Sequence, residues 1–171
     1  MREEYIVTRD KESVLLKSIQ HKLKETFPDC NAENTLVVMV SPDYSATIAM
    51  HVAHELSVNG EMCDILPIHV NYPDEAKDKY VEYAQSDILR CLTRSEKRYT
   101  NYLLVEAGVI KGGTFTWLTK LCGNLLSGQV HTMTMFENIH SVFKSDLVLE
   151  YYDNETQDLT FYFERENKHW N

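Results

Sequence analysis

Two unbroken apolar runs constrain this chain more than any other feature. Thr35-Leu36-Val37-Val38-Met39-Val40 and Tyr102-Leu103-Leu104-Val105 are too short for buried helices and lack the alternation of a half-exposed strand. Segments of this kind are buried on both faces, which is the habit of parallel sheets. Each run leads through a loop into a helical pattern, the first by residues 41–46 and the second by residues 107–114. The alternation predicts an α/β fold, an open, mostly parallel twisted sheet flanked by helices. Its ligand site should lie at the carboxyl ends of the strands, where these two loops sit.

The other segments fit that frame. Residues 10–27 place Val14, Leu15, Ile19, Leu23 and Phe27 at helical spacing, with Asp10 as the cap and Pro28 beyond the end. Ser45 caps a second helix running to Val58, with Ile48, Val52 and Leu56 on one face and Gly60 as a stop. Residues 63–69 read as a strand, although Pro67 either weakens that reading or moves the segment to a sheet edge. Residues 74–92 read as a helix with Tyr80, Ala84, Ile88 and Leu92 in line, and a fourth helix follows the second loop to about Leu126. Strands at 129–136, 147–152 and 159–164 finish the chain, the last two forming a terminal hairpin across the turn-rich 153–158. One domain is expected over residues 1–171, enough chain to bury a core. It comprises a helical segment 1–32, a core 33–128, and terminal strands forming a hood over 129–171.

Charge narrows the partners. The chain carries 26 acidic and 17 basic side chains, a net charge of −9 that disfavours nucleic acid. No apolar stretch reaches membrane-span length, and the opening MREEYIVTRD lacks a signal peptide's apolar core. A soluble, cytoplasmic protein with no membrane partner is expected. Cys30, Cys63, Cys91 and Cys122 include no CxxC pair and read as reduced, mostly buried thiols.

The second loop holds the chemistry. In Lys111-Gly112-Gly113-Thr114 two glycines let backbone N–H groups converge on an anion, a helix N-terminus adds positive potential, Thr114 offers a hydroxyl and Lys111 a full charge. Glu106, just before, can accept hydrogen bonds from sugar hydroxyls or help to hold hydrated Mg²⁺. Phosphate beside a hydroxyl acceptor suggests a ribose 5-phosphate; the plain alternative is a tight turn and a solvated carboxylate. Neither a Walker A loop nor G-x-G-x-x-G occurs. His51-Val52-Ala53-His54-Glu55 has the order of no zinc motif, and its histidines read as helix-surface or core-edge groups. Arg94, Lys97, Arg98 and Tyr99 form a basic turn before the motif strand, either solvated or folded over the phosphate loop. Phe136, Phe163 and Trp170 are the aromatics to weigh against a purine, with packing as the plainer role. No Ser-His-Asp or Cys-His nucleophile site can be drawn.

The segment 103–114, Leu-Leu-Val-Glu-Ala-Gly-Val-Ile-Lys-Gly-Gly-Thr, resembles the phosphoribosyl-pyrophosphate (PRPP) motif of type I phosphoribosyltransferases. Residues 38–46 are similar to that family's pyrophosphate loop, and residues 144–150 with the closing strands resemble the end of its small purine-type members. The resemblance covers roughly residues 33–165. It implies a Mg²⁺-dependent transferase of nucleotide metabolism that joins a nucleobase, a purine rather than a pyrimidine, to PRPP. In that reading Glu106 is the catalytic ribose contact and Lys111, Gly112, Gly113 and Thr114 hold the 5-phosphate. Ser41, Asp43, Tyr44 and Ser45 line the pyrophosphate side, the hood covers the base, and a homodimer is common.

Departures from the pattern open a second reading. Ala107 stands where the family carries its second ribose-binding acid, Gly108 replaces an apolar residue, and Lys111 stands where a small hydroxyl residue often begins the loop. The first loop lacks the family's frequent basic-Gly-Gly signature. These changes fit a catalytically degenerate protein that binds a nucleotide or a protein partner in a regulatory role. A third class is an acidic surface that imitates a polyanion.

Overall fold

The computed structural model describes residues 2–70, 77–94 and 98–161, with all their side chains except those of residues 42, 43, 77–82 and 92–94. The two apolar runs become neighbouring central strands. In chain order the elements are β1 (Glu3–Val7), α1 (Arg9–Thr26), β2 (Thr35–Val40), α2 (Pro42–Glu55), β3 (Asp64–Ile68), α3 (Lys77–Arg94), β4 (Asn101–Val109), α4 (Gly113–Leu125), β5 (Gln129–Asn138), β6 (Leu147–Tyr152) and β7 (Gln157–Phe161). Five strands form one parallel sheet in the order β3-β2-β4-β5-β6. Pro67 lies exposed on the edge strand β3, where its missing N–H costs no ladder bond.

Each face of the sheet carries two helices. Val37, Leu103, Val105 and Met133 pack on one face with Ile19 and Leu23 of α1 and Ile48 and Val52 of α2. Leu36, Val38 and Leu104 pack on the other with Ala84 and Ile88 of α3 and Phe115, Leu118 and Cys122 of α4. Period-two alternation along β2 and β4 divides their side chains between these two layers. The four cysteines are free thiols, all but Cys91 buried. Among the described residues no helix is long and apolar enough to cross a membrane.

Several local expectations are corrected. The cap of α1 is Thr8, whose Oγ1 accepts from the Lys11 N–H at 3.2 Å, and not Asp10. Val14 faces solvent, because the inward line runs through Leu16, Ile19 and Leu23. The second helix begins at Pro42 with Ser41 as its cap, so Ser45 is interior to it. The proline's fixed φ suits the first helical position better than a capping serine three residues later.

The terminal hairpin does not form. β6 joins the main sheet in parallel with β5, and β7 pairs in parallel with β1, Tyr5 opposite Leu159 and Val7 opposite Phe161. This separate two-stranded sheet from the two ends of the described chain makes the hood. Tyr5, Lys11 and Glu150 tie it down: the Tyr5 hydroxyl donates to Glu150, the Lys11 ammonium donates to Tyr5 and pairs with Glu150 at 2.7 Å. Phe163 and Trp170 lie outside the described residues, as does Lys97.

Candidate functional site

At the carboxyl end of the sheet a cleft of about 270 Å³ opens between Ser41, Tyr44, Glu106, Ala107, Gly108, Ile110, Leu159 and Phe161. It joins the exits of β2 and β4 under the hood strand β7. Ligand pockets usually run to roughly 300–1,000 Å³, so the cleft itself holds a sugar-sized group, with anything larger at its mouth.

Glu106 is half-buried at the end of the apolar part of β4, level with Thr134 of β5. Among the described residues no donor or cation meets its carboxyl, and desolvation alone raises its pKa to about 8. It is therefore a neutral acid at pH 7, able to donate one hydrogen bond and accept others. Magnesium usually keeps several waters and is held by one or two carboxylates together with substrate phosphates. The described lining supplies a single carboxyl, Glu106, whose desolvation disfavours the charged form a cation needs, so the described residues make no all-protein magnesium cage.

The two loops are locked together at Ser45. Its side chain is fully buried, and its Oγ accepts the N–H of Ala107 at 3.0 Å. That hydroxyl is committed to the protein and faces no ligand. Ala107 itself is 2% exposed and packs in the core beneath α2, at the cleft floor. Ser41 stands at the cleft in the left-handed region, φ 51° and ψ 74°, an uncommon conformation for serine. Its N–H donates to the Ile68 carbonyl, and its own carbonyl accepts the N–H groups of Tyr44 and Ser45, so both sides of the strained residue are held. Strain of this kind collects at functional sites. The side chain of Asp43 lies outside the described ones.

The phosphate-type loop is built as its glycines suggest, but each has a different task. Gly112 is the cap of α4 with φ 82°, and a Cβ there would stand 2.4 Å from Phe143 Cβ and 2.7 Å from Ser141 Oγ. It is glycine because the backbone is left-handed and the 141–143 segment presses on it. Gly113 opens α4, and nothing lies within 4 Å of where its Cβ would be. Lys111 and Gly113 are exposed and Thr114 half-buried. The start of α4 is thus open to solvent beside an exposed lysine, and the N–H groups of a helix's first turn lack intrahelical partners, the arrangement an anion needs.

The hood closes the cleft with aromatic contacts. Phe161 of β7 lies between Tyr44, 6.3 Å between ring centroids, and Phe136, 5.9 Å. Phe136 is fully buried and also meets Tyr5 edge-on, so it is a core residue and does not face a base. Leu159 fills the space above Gly108, whose Cβ would stand 3.4 Å from Leu159 Cδ2. Of the basic turn, Arg98 is exposed, and Tyr99 is buried with its hydroxyl donating to Asp64 at 2.7 Å, away from the cleft. His51 meets the Thr47 carbonyl one turn back on the exposed side of α2.

One residue of the site escapes sequence reading. Asn138, buried at the end of β5, donates from Nδ2 to the Ile110 carbonyl at 2.8 Å. Its Oδ1 accepts the N–H groups of His140 and Asn154, both at 3.2 Å. A single amide thereby joins the phosphate-type loop to two other loops. A lone Asn after a strand carries no signal for contacts 28 residues back, at Ile110, and 16 residues on, at Asn154.

No family model matches the chain and no curated protein does. Solved structures do. Xanthine-guanine-hypoxanthine phosphoribosyltransferase of Helicobacter pylori superposes with a TM-score of 0.67 at 10% identity, covering 99% of this chain and 98% of that one. Purine phosphoribosyltransferase of Pyrococcus horikoshii gives 0.63 at 10% identity, with coverage of 93% and 92%. A hypothetical protein of Neisseria gonorrhoeae with bound ppGpp gives 0.66 at 11% identity, with coverage of 98% and 96%. The fold is that of the type I phosphoribosyltransferases.

Proposed function

With the type I phosphoribosyltransferase fold as premise, we propose that this chain is a nucleotide-binding protein of that fold with its transferase chemistry eroded. Lys111, Gly113 and Thr114 hold a 5′-phosphate by charge, backbone N–H groups and hydroxyl. Glu106 meets the ribose hydroxyls as a neutral acid, and Tyr44 lines the cleft mouth on which the base rests. The observation that carries this reading is the pairing of an open α4 N-terminus at Gly113 with a cleft that holds a single, uncompensated carboxyl. Transfer of a phosphoribosyl group needs a cationic ribosyl centre and a departing pyrophosphate stabilised by preorganised charge. Ala107 in the core and Ser45 tied to the Ala107 N–H leave little of that machinery. Among the structural neighbours are complexes with IMP, GMP and ppGpp, which supports a purine nucleotide as the ligand class.

The test is calorimetric titration with GMP, IMP, AMP and ppGpp, in EDTA, for the wild type and Gly113→Asp. At the first helical position the Cβ of an aspartate meets open space and its charge suits the helix dipole, so the variant is expected to fold. It places negative charge where the phosphate belongs. Binding by the wild type and at least about tenfold weaker binding by the variant are expected; equal affinities would remove the site assignment. The transferase remains the other reading, supported by the neighbours' activities. Incubation with Mg²⁺, PRPP and nucleobases, followed by mass spectrometry, is expected to give no nucleoside monophosphate. A product absent from the Gly113→Asp control would establish the enzyme instead.

A further inference from the structure

Beyond the cleft, one cluster brings together side chains of different ligand chemistry. His140, from the β5–β6 loop, and Asp153 and Glu155, from the β6–β7 turn, place one ligand atom each within 4.8 Å of one another. His140 Nε2 lies 3.3 Å from Asp153 Oδ1 and 4.0 Å from Glu155 Oε2. Two ligand atoms on one tetrahedral zinc stand about 3.3 Å apart, given bonds of about 2.0–2.1 Å. The His–Asp pair is already at that spacing. Glu155, the most exposed of the three, closes the rest by side-chain rotation.

Charge favours a cation at this point. Among the described residues no lysine or arginine meets Asp153 or Glu155. Lys144, the nearby loop cation, is spent on the Ile139 carbonyl at 3.0 Å and on buried Glu137 at 3.6 Å. Asp153 also accepts the Glu155 N–H at 2.8 Å, and that bond, followed by the Thr156 hydroxyl and His140, holds its carboxyl below the ordinary range. Two acidic side chains thus face one imidazole, on a chain of net charge −9.

The loops that carry them are already docked. Buried Asn138 accepts the N–H groups of His140 and Asn154 with the same oxygen, and the Ile139 N–H donates to the Tyr152 carbonyl at 2.9 Å. An ion would therefore meet preset backbone and order only the side chains. One nitrogen and two oxygens suit a borderline transition cation better than magnesium or calcium, which take oxygen alone.

We propose that His140, Asp153 and Glu155 form a surface site for one zinc-type divalent cation that staples the β5–β6 loop to the β6–β7 turn. Three protein ligands leave the remaining positions to water. The site is independent of nucleotide binding and stands whether or not the cleft holds one.

The test uses the full chain freed of metal by chelation, titrated with Zn²⁺ by calorimetry and with Co²⁺ by visible absorption. The wild type takes up one equivalent, and Zn²⁺ raises its thermal midpoint. His140→Ala lowers the affinity at least about tenfold and removes the thermal shift. Asp153→Asn, which keeps an oxygen for the Glu155 N–H, does the same while the metal-free variant stays folded by circular dichroism. The Co²⁺ spectrum shows no thiolate charge-transfer band. No uptake by the wild type, equal uptake by the variants, or a thiolate band that places the ion on a cysteine would each overturn the proposal.

Discussion

Replacing Gly112 by alanine separates the two glycines of the loop and can be worked through from the geometry. The backbone at 112 is left-handed, φ 82°, which costs an L-residue about 1–2 kcal/mol. The new methyl would stand 2.4 Å from Phe143 Cβ, 2.7 Å from Ser141 Oγ and 2.9 Å from the Phe143 backbone nitrogen. Two of these atoms belong to or adjoin the main chain, so a rotamer change does not relieve the clash, and overpacking of this kind adds about 1–3 kcal/mol. Gly112→Ala should therefore lose about 2–5 kcal/mol, a large share of the roughly 5–15 kcal/mol that a domain has. Gly113→Ala, one residue on, meets open space and should be neutral or gain up to about 1 kcal/mol from helix propensity. Urea unfolding followed by circular dichroism measures both. Equal stability of Gly112→Ala and the wild type would refute the account of the loop, because it would mean that the 141–143 segment does not press on the turn.

Three further outcomes follow from the cleft. Glu106 holds its proton in the folded state up to about pH 8 and loses it in the unfolded chain at the ordinary carboxyl value. Between those values the unfolded state binds fewer protons, so stability should fall as pH rises, by at most about 1.4 kcal/mol per pH unit. Glu106→Gln should flatten that slope; urea midpoints at about pH 5.5 and about pH 8.5 that move in parallel for the two proteins would contradict it. Ser45→Ala should cost about 1–3 kcal/mol in the same assay by leaving the buried Ala107 N–H without an acceptor, and a neutral result would show that the two loops are held otherwise. Ala107→Asp, which restores the acid of the resembled motif, should cost more than about 2 kcal/mol because the side chain enters the core, and no PRPP affinity should appear. A stable variant that gains PRPP affinity would show that the position faces the ligand.

The parts of the fold that follow from local chemistry were legible. β2 and β4 are continuous apolar runs and could only be buried strands, and Pro67 marked an edge. The motif 103–114 pointed to a phosphoribosyltransferase-type loop at the end of β4, and the fold places that loop beside the cleft. What escaped depends on partners distant in sequence. Glu3–Val7 falls in the segment 1–32 expected to be helical, and its partner Gln157–Phe161 lies more than a hundred residues on, so local reading pairs the closing strand with its sequence neighbour in a hairpin. Ser45 looked like a cap because nothing local reveals that Pro42 starts the helix and that the serine's oxygen is taken by Ala107. Phe136 looked available to a base because alternation does not tell which face of a central strand a hood covers. The state of Glu106 is likewise set by what surrounds it, and its residue type alone suggested an ionised carboxylate.

The central claim is that a nucleotide phosphate sits on the N-terminus of α4, with its sugar against Glu106. Two-dimensional amide NMR of the ¹⁵N-labelled chain, recorded with and without the tightest-binding purine nucleotide, tests it residue by residue. The largest shifts should fall on Gly112, Gly113 and Thr114, with a second set at Glu106 to Gly108, and should vanish in Gly113→Asp. Shifts confined to other surfaces, or unchanged spectra at saturating nucleotide, would contradict the account.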